Sequence, residues 1–168
     1  SIQDAYELLQ GKKFEMQNYP MWEKESLKDE QHPLAAYHVT EPFVLHTNKK
    51  EGESFKIEGR LLGGCLDCLS HLRGTKFDKV KEFNQKYEDD GILWFLESCD
   101  LNVFEMRRTL WSSKQAGWFD ACRGFLSGRS GVQGQIIAGL DEYVAVLSRF
   151  RELDVQIFMD LVIGCVEL

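Results

Sequence analysis

The feature that most constrains this chain is a short apolar run that ends on a carboxylate, GILWFLES at residues 91–98. Five consecutive apolar residues, 92–96, are typical of a strand buried on both faces, as in a parallel sheet covered by helices. Glu97 then lies where the strand leaves the core, and in open α/β sheets ligands gather at the carboxyl ends of the strands. By position alone, Glu97 is either a catalytic or binding group or the start of a solvated loop.

Strand and helix patterns alternate through most of the chain, which we predict to be a single domain over residues 1–168. An α/β fold follows, with a mostly parallel sheet and flanking helices. The β/α core is predicted at 54–165, after an irregular N-terminal part at 1–50 that holds a helix at 1–10 and all three prolines. Short strands can form at 13–19 and 43–46. In the core we predict strands at 54–61, 92–96, 124–127 and 155–163, and helices at 65–72, 77–87, 102–116 and 141–151.

Helix 102–116 has a cap and an apolar face that can be read from the sequence. Asn102 is a typical N-cap, and Val103, Met106, Leu110 and Trp111 are the predicted inward residues. The large aromatic side chains are predicted to serve core and inter-domain packing rather than a ligand site. They are Trp94, Trp111, Trp118 and Phe119.

Composition excludes several functional classes. The net charge is −7, with 27 acidic residues against 20 Lys and Arg, so we expect no nucleic-acid partner. No apolar run approaches the roughly 18 residues that span a bilayer, and no secretory signal is visible, so we expect a cytoplasmic protein without a membrane partner.

The cysteines predict a reduced protein without a metal site. Their number is odd, and four of the five lie within or beside apolar runs, which predicts mostly buried thiols rather than disulfides. Cys65 and Cys68 form a CxxC motif, but no second pair or histidine follows at ligand spacing. We therefore expect neither metal nor cofactor.

An ordered set of motifs runs through the core. They are EGRLLGGCL at 58–66, LRGTKF at 72–77, WFLE at 94–97, MRRTL at 106–110, AGWF at 116–119 and GFLSGR at 124–129. The set resembles the C-terminal domain of the LD-carboxypeptidase and microcin-immunity family of serine peptidases, over roughly residues 1–165. The resemblance implies a metal-free Ser-Glu-His triad, whose serine lies in an N-terminal α/β domain and whose other members lie in the C-terminal domain.

The resemblance also assigns residues to roles. Glu97 matches the triad glutamate, which orients the histidine and stabilises its imidazolium form. Gly63 and Gly64 match a glycine turn near the substrate site; from the residues alone they fit a plain strand-to-helix turn equally well. Cys165 stands at the place of the family histidine, and a thiol cannot act as the general base for serine. The histidines all lie early in the chain and are expected on the surface or in polar contacts: His32, His38, His46 and His71.

These observations predict the C-terminal half of a serine peptidase that hydrolyses an L-D amide in murein peptides. The GxSD-like serine elbow of the family is missing, so we expect the N-terminal nucleophile domain to be absent and the isolated chain to be inactive. The expected partners are a murein-type peptide, a nucleophile domain and a second copy of the chain. The alternatives are a non-catalytic peptide-binding or interaction module, as a degenerate paralogue or fragment, or a relative that cleaves a peptidyl-nucleotide antibiotic.

Overall fold

A computed structural model of the chain describes residues 2–12, 19–23, 27–43, 46–47, 56–128 and 156–161. The chain divides into two compact units, Ser1–Val44 and Leu45–Leu168. The first unit contains helix α1 and a two-stranded antiparallel sheet, which confirms the predicted N-terminal helix. Its elements are α1 (Ile2–Leu9), β1 (Met21–Trp22) and β2 (Glu41–Pro42).

The second unit is a five-stranded sheet with helices in the connections. Its strands lie in the order β3-β7-β6-β5-β4; β4 to β7 are parallel, and β3 pairs antiparallel with β7 at one edge. This confirms the predicted α/β fold with a mostly parallel sheet. The elements are β3 (His46–Thr47), β4 (Arg60–Cys65), α2 (Leu66–Leu72), α3 (Val80–Lys86), β5 (Ile92–Glu97), α4 (Val103–Gln115), β6 (Cys122–Gly128) and β7 (Gln156–Leu161).

Strand β4 lies later in the chain than predicted. The strand expected at 54–61 occupies 60–65 instead, so Gly63 and Gly64 are strand residues and not a turn. Helix α2 begins at the next residue, Leu66, so strand and helix join without a separate loop. Helix α3 covers only the later part of the predicted 77–87. The predicted helix 141–151 lies outside the described residues, as do the ends of the predicted strand 155–163.

Helix α4 confirms its predicted cap and corrects its predicted face. The Asn102 side chain accepts hydrogen bonds from the backbone N–H groups of Phe104 and Glu105, at 3.0 and 3.1 Å, and the Glu105 carboxylate accepts from the Asn102 N–H at 2.9 Å. This reciprocal pair is a capping box. Leu110 is buried, but Trp111 is 51% exposed. Successive helix positions turn by about 100°, which carries Trp111 off the inward face.

The core is built on aromatic rings from β5, β6 and the segment after α4. Trp94 stacks on Trp118 with ring centroids 5.8 Å apart, and Phe119 meets both Trp94 and Phe125 edge-on at 5.2 and 5.0 Å. These offset and edge-on arrangements are the favoured ones for aromatic pairs. The predicted core role of Trp94, Trp118 and Phe119 is confirmed, because all three are buried.

The expectation of mostly buried thiols is wrong for the cysteines that the structure describes. Cys68 and Cys99 are exposed, and Cys65 and Cys122 are only partly buried. An apolar neighbour in sequence does not place a residue on the inner face: Cys68 lies on an outer face of α2, and Cys99 lies in the loop after β5.

None of the helices in the described ranges has the length and apolar character needed to cross a membrane.

Gly63 allows β4 to pair closely with β5. Its φ is +155°, and a Cβ atom built there would lie 1.8 Å from the carbonyl oxygen of Phe95 in the neighbouring strand. Gly64 has a similar φ of +145°, but apart from its chain neighbours no atom of the described residues lies within 4 Å of its Cβ position. The two glycines therefore share a backbone conformation and differ in the space beside them.

We expect Gly63→Ala to destabilise the chain more than Gly64→Ala. Both substitutions force a side chain into a backbone region reserved for glycine, at a cost of about 1–3 kcal/mol. Only the first also pushes β5 away from β4. Urea denaturation of the two variants would measure the difference in the free energy of unfolding, and equal losses would contradict the proposed clash.

Candidate active site

The carboxyl ends of β4 and β5 bring Glu97 beside Cys65. The two residues are register partners across the parallel pair, and each is the last residue of its strand. Burial alternates along β5: Ile92, Trp94 and Leu96 are buried, whereas the side chains on the other face, Glu97 included, are partly exposed. The prediction of a strand fully buried on both faces is therefore corrected. The predicted position of Glu97, partly exposed at the carboxyl end of a central parallel strand, is confirmed.

The Cys65 thiol lies between two carboxylates. Its Sγ donates its hydrogen to Asp67 Oδ2 at 3.3 Å, and Glu97, its register partner across the sheet, is the second carboxylate beside it. Burial, together with these carboxylates, raises the pKa of Cys65 to about 12. The thiol consequently keeps its hydrogen at neutral pH and acts as a donor to the carboxylates, not as a nucleophile.

Asp67, in the first turn of α2, holds the loop that follows Glu97. One carboxylate oxygen accepts from the backbone N–H groups of Asp100 and Leu101, at 2.9 and 3.1 Å. The other accepts from the N–H of Cys99 at 3.2 Å and from the hydroxyl of Ser98 at 3.0 Å. Burial alone would raise the pKa of Asp67, but these hydrogen bonds hold the pKa below its ordinary value of 3.8.

The structure brings together three of the residues predicted for the site. Gly63 and Gly64 precede Cys65 in β4, and their register partners Phe95 and Leu96 precede Glu97 in β5. Gly64 leaves open space on its Cβ side within the described part of the chain. Space of that kind allows another molecule to approach the backbone closely.

Cys165 lies outside the described residues, so its distance from Glu97 stays a prediction. The described part of its strand, β7, runs parallel to β6 and therefore in the same direction as β5. The carboxyl ends of β5 and β7 thus lie at the same edge of the sheet.

Of the histidines, His32 is exposed and contacts the carboxylate of Asp29 at 3.0 Å, as expected for a surface residue. No group of three or more His, Cys, Asp or Glu in the described ranges is arranged to hold a metal ion.

Asp67 is the site residue that the sequence analysis did not single out. It lies inside the CxxC motif, two residues after the end of β4, where its only local signal is an acid in the first turn of a short helix. The residues that give it importance come 31 to 34 positions later in the chain. The parallel pairing of β4 with β5 could have pointed to it, because that pairing sets the two turns side by side.

Comparison with known proteins assigns the second unit to a family. The model of the LD-carboxypeptidase C-terminal domain matches residues 58–167, about two thirds of the chain. A comparison with curated proteins gives no significant sequence match.

Solved structures with the same fold include an MccF-like protein from Streptococcus pneumoniae in complex with AMP, with a TM-score of 0.69 and 20% identity over 97% of this chain. The microcin C7 self-immunity protein MccF, in its wild-type apo state, gives 0.64 and 15% over 95%. A muramoyltetrapeptide carboxypeptidase from Oxalobacter formigenes gives 0.50 and 21% over 70%. The chain spans 49%, 47% and 39% of these three proteins, about half their length or less.

We expect Cys65 to resist alkylation. A thiol with a pKa of about 12 is ionised in only about one molecule in ten thousand at pH 8. Iodoacetamide should therefore modify the exposed Cys68 at least about 100-fold faster than Cys65, as followed by mass spectrometry of peptides. Equal rates for the two would contradict the described contacts.

Asp67→Asn removes the carboxylate that accepts the Cys65 hydrogen, so it should speed the labelling of Cys65. Cys122 is the control, because its pKa is also raised to about 12, by burial, and its Sγ donates to the carbonyl of Gly124 instead of to a carboxylate. Its labelling rate should not respond to the substitution. An identical change at both cysteines would indicate general loosening of the fold.

Proposed function

The chain belongs to the LD-carboxypeptidase C-terminal domain family, and on that premise we propose that it is the C-terminal half of a serine peptidase that hydrolyses an L-D amide in murein peptides. The observation that carries the proposal is the position of Glu97, partly exposed at the carboxyl end of a central parallel strand. That edge is where open α/β sheets place their chemistry.

Glu97 would be the acid of a Ser-Glu-His triad. One carboxylate oxygen would accept the ring N–H of a histidine, which fixes the tautomer and stabilises the imidazolium that forms when the histidine takes the serine proton. The attacking serine and the oxyanion hole would come from a nucleophile domain. Gly64 supports a substrate-binding role for this edge, because within the described ranges only its own chain neighbours lie beside its Cβ position, which leaves a peptide room to approach the strand.

The residue at position 165 favours a second candidate, a non-catalytic module that binds peptides or partners. Cys165 stands where the family has its histidine, and a thiol does not replace imidazole as a base near neutral pH. Because the serine elbow is missing as well as the histidine, we propose that the isolated chain is inactive. A third candidate, cleavage of a peptidyl-nucleotide, draws support from the MccF-like structure that holds AMP.

The deciding experiment joins the chain to the nucleophile domain of an LD-carboxypeptidase and follows D-alanine release from a murein tetrapeptide. We expect no release by the chain alone and release by the joined protein once Cys165→His restores the base. Adding Glu97→Gln should then lower kcat by at least about 1000-fold, the scale seen when a triad acid is replaced by its amide. Glu88→Gln, at an exposed turn after α3, is the matched control and should leave kcat unchanged.

The outcomes separate the three candidates. Binding of the tetrapeptide without release by the Cys165→His protein would favour the non-catalytic module. Release of an amino acid from an aminoacyl sulfamoyl nucleotide, and none from the tetrapeptide, would favour the third candidate. Activity of the chain alone, abolished by Glu97→Gln and resistant to chelators, would overturn the proposal and require a nucleophile inside the chain.

We also propose that the chain acts in the cytoplasm and associates with a nucleophile domain and with a second copy of itself. Phe104 and Trp111 support the association, because they lie seven positions apart on one face of α4 and are 63% and 51% exposed. Light scattering of the concentrated chain should give at least twice the mass of one copy, and Trp111→Ala should reduce it. A strictly monomeric chain would contradict self-association.

A further inference from the structure

We propose that Asp67 is a positioning residue that fixes the orientation of Glu97, a role that rests on the proposed function of Glu97 in the triad. Asp67 does not touch the reacting atoms in this scheme. It acts on Glu97 through two separate connections, one along the backbone and one through a side chain.

The backbone connection is the loop that begins directly after Glu97. Ser98, Cys99, Asp100 and Leu101 follow in sequence, and each donates to the Asp67 carboxylate at 2.9–3.2 Å. Ser98 is only 1% exposed, so water cannot easily replace the partner of its hydroxyl. Four successive residues tied to one carboxylate leave the chain after Glu97 little freedom to rotate. The end of β5 is therefore fixed from its carboxyl side.

The side-chain connection runs through Cys65. Its thiol donates to Asp67, and Glu97 lies beside Cys65 as its register partner in the parallel pair. Asp67 thus also fixes the group against which the Glu97 carboxylate lies. Asp67→Asn would disturb both connections, since it replaces one acceptor oxygen with an N–H donor that faces other donors while keeping the shape of the side chain.

Asp78 provides a matched control elsewhere in the same unit. Its carboxylate accepts from the backbone N–H groups of Gly74 and Val80 and from the indole N–H of Trp118, at 2.8–3.3 Å. Its pKa is also lowered, because these hydrogen bonds outweigh the effect of burial. Asp78→Asn therefore removes a comparable structural carboxylate whose described hydrogen bonds reach neither Glu97 nor the loop after it; its one connection to β5 is the stacking of Trp118 on Trp94.

The first test uses the isolated chain and NMR. We expect Asp67→Asn to speed hydrogen exchange of the Asp100 and Leu101 amides at least about tenfold and to change the NMR chemical shift of the Glu97 side-chain carboxyl carbon at a fixed pH. Asp78→Asn should change neither, even if it lowers the free energy of unfolding by the same amount. Ser98→Ala removes one of the five hydrogen bonds without removing a charge, and should give a smaller change in the same direction, also where Asp67→Asn fails to fold. An unchanged Glu97 chemical shift in the folded variants would overturn the proposal.

The second test uses the chain joined to a nucleophile domain, as in the activity assay. Asp67→Asn should lower kcat at least about tenfold with little change in KM, and should move the acid limb of the pH–rate profile. An Asp78→Asn protein with the same loss of kcat would indicate a merely structural role and overturn the proposal. If the parent joined protein releases no D-alanine, the proposed function fails, and the NMR result still decides whether Asp67 orients Glu97.

Discussion

The geometry of the candidate site depends on the carboxylate of Asp67. Parallel strands leave the sheet on one side, so the turns after β4 and β5 meet at one edge. The turn after β5 presents three backbone N–H groups in succession, at Cys99, Asp100 and Leu101, that require an acceptor. Asp67 supplies this acceptor from the first turn of α2, which follows β4 directly. Its hydrogen bonds join the start of α2 to the loop that begins after Glu97.

Behind this polar edge, β5 packs into the aromatic core. Trp94 is held between the rings of Trp118 and Phe119, and close-packed aromatic contacts of this kind leave the strand no room to move. On the other side, Gly63 lets β4 approach the carbonyl of Phe95. The end of β5 is thus held by packing as well as by hydrogen bonds, the two kinds of support that a preorganised site needs.

The features that the sequence predicted correctly are local ones. The strand at the apolar run before Glu97 and the cap at Asn102 each carry their signal within a few residues, and both are confirmed, although the burial of that strand on both faces is not. The features that were wrong or missed depend on distant partners. Gly63 resembled a turn residue because its reason for being glycine, the carbonyl of Phe95, is 32 positions away. Asp67 was missed for the same reason, because the N–H groups that donate to it belong to the connection after a different strand.

The position of Glu97 fits a triad acid. A carboxylate offers two oxygens and about four lone pairs, the capacity that is needed to accept a histidine N–H. Because the Cys65 thiol keeps its hydrogen at neutral pH, it lies beside Glu97 without competing for the role of nucleophile. A histidine that reaches Glu97 would meet a carboxyl group whose position Asp67 sets. The proposed triad would then be completed by groups from outside the described residues: a base at position 165, and the serine and oxyanion hole of a nucleophile domain.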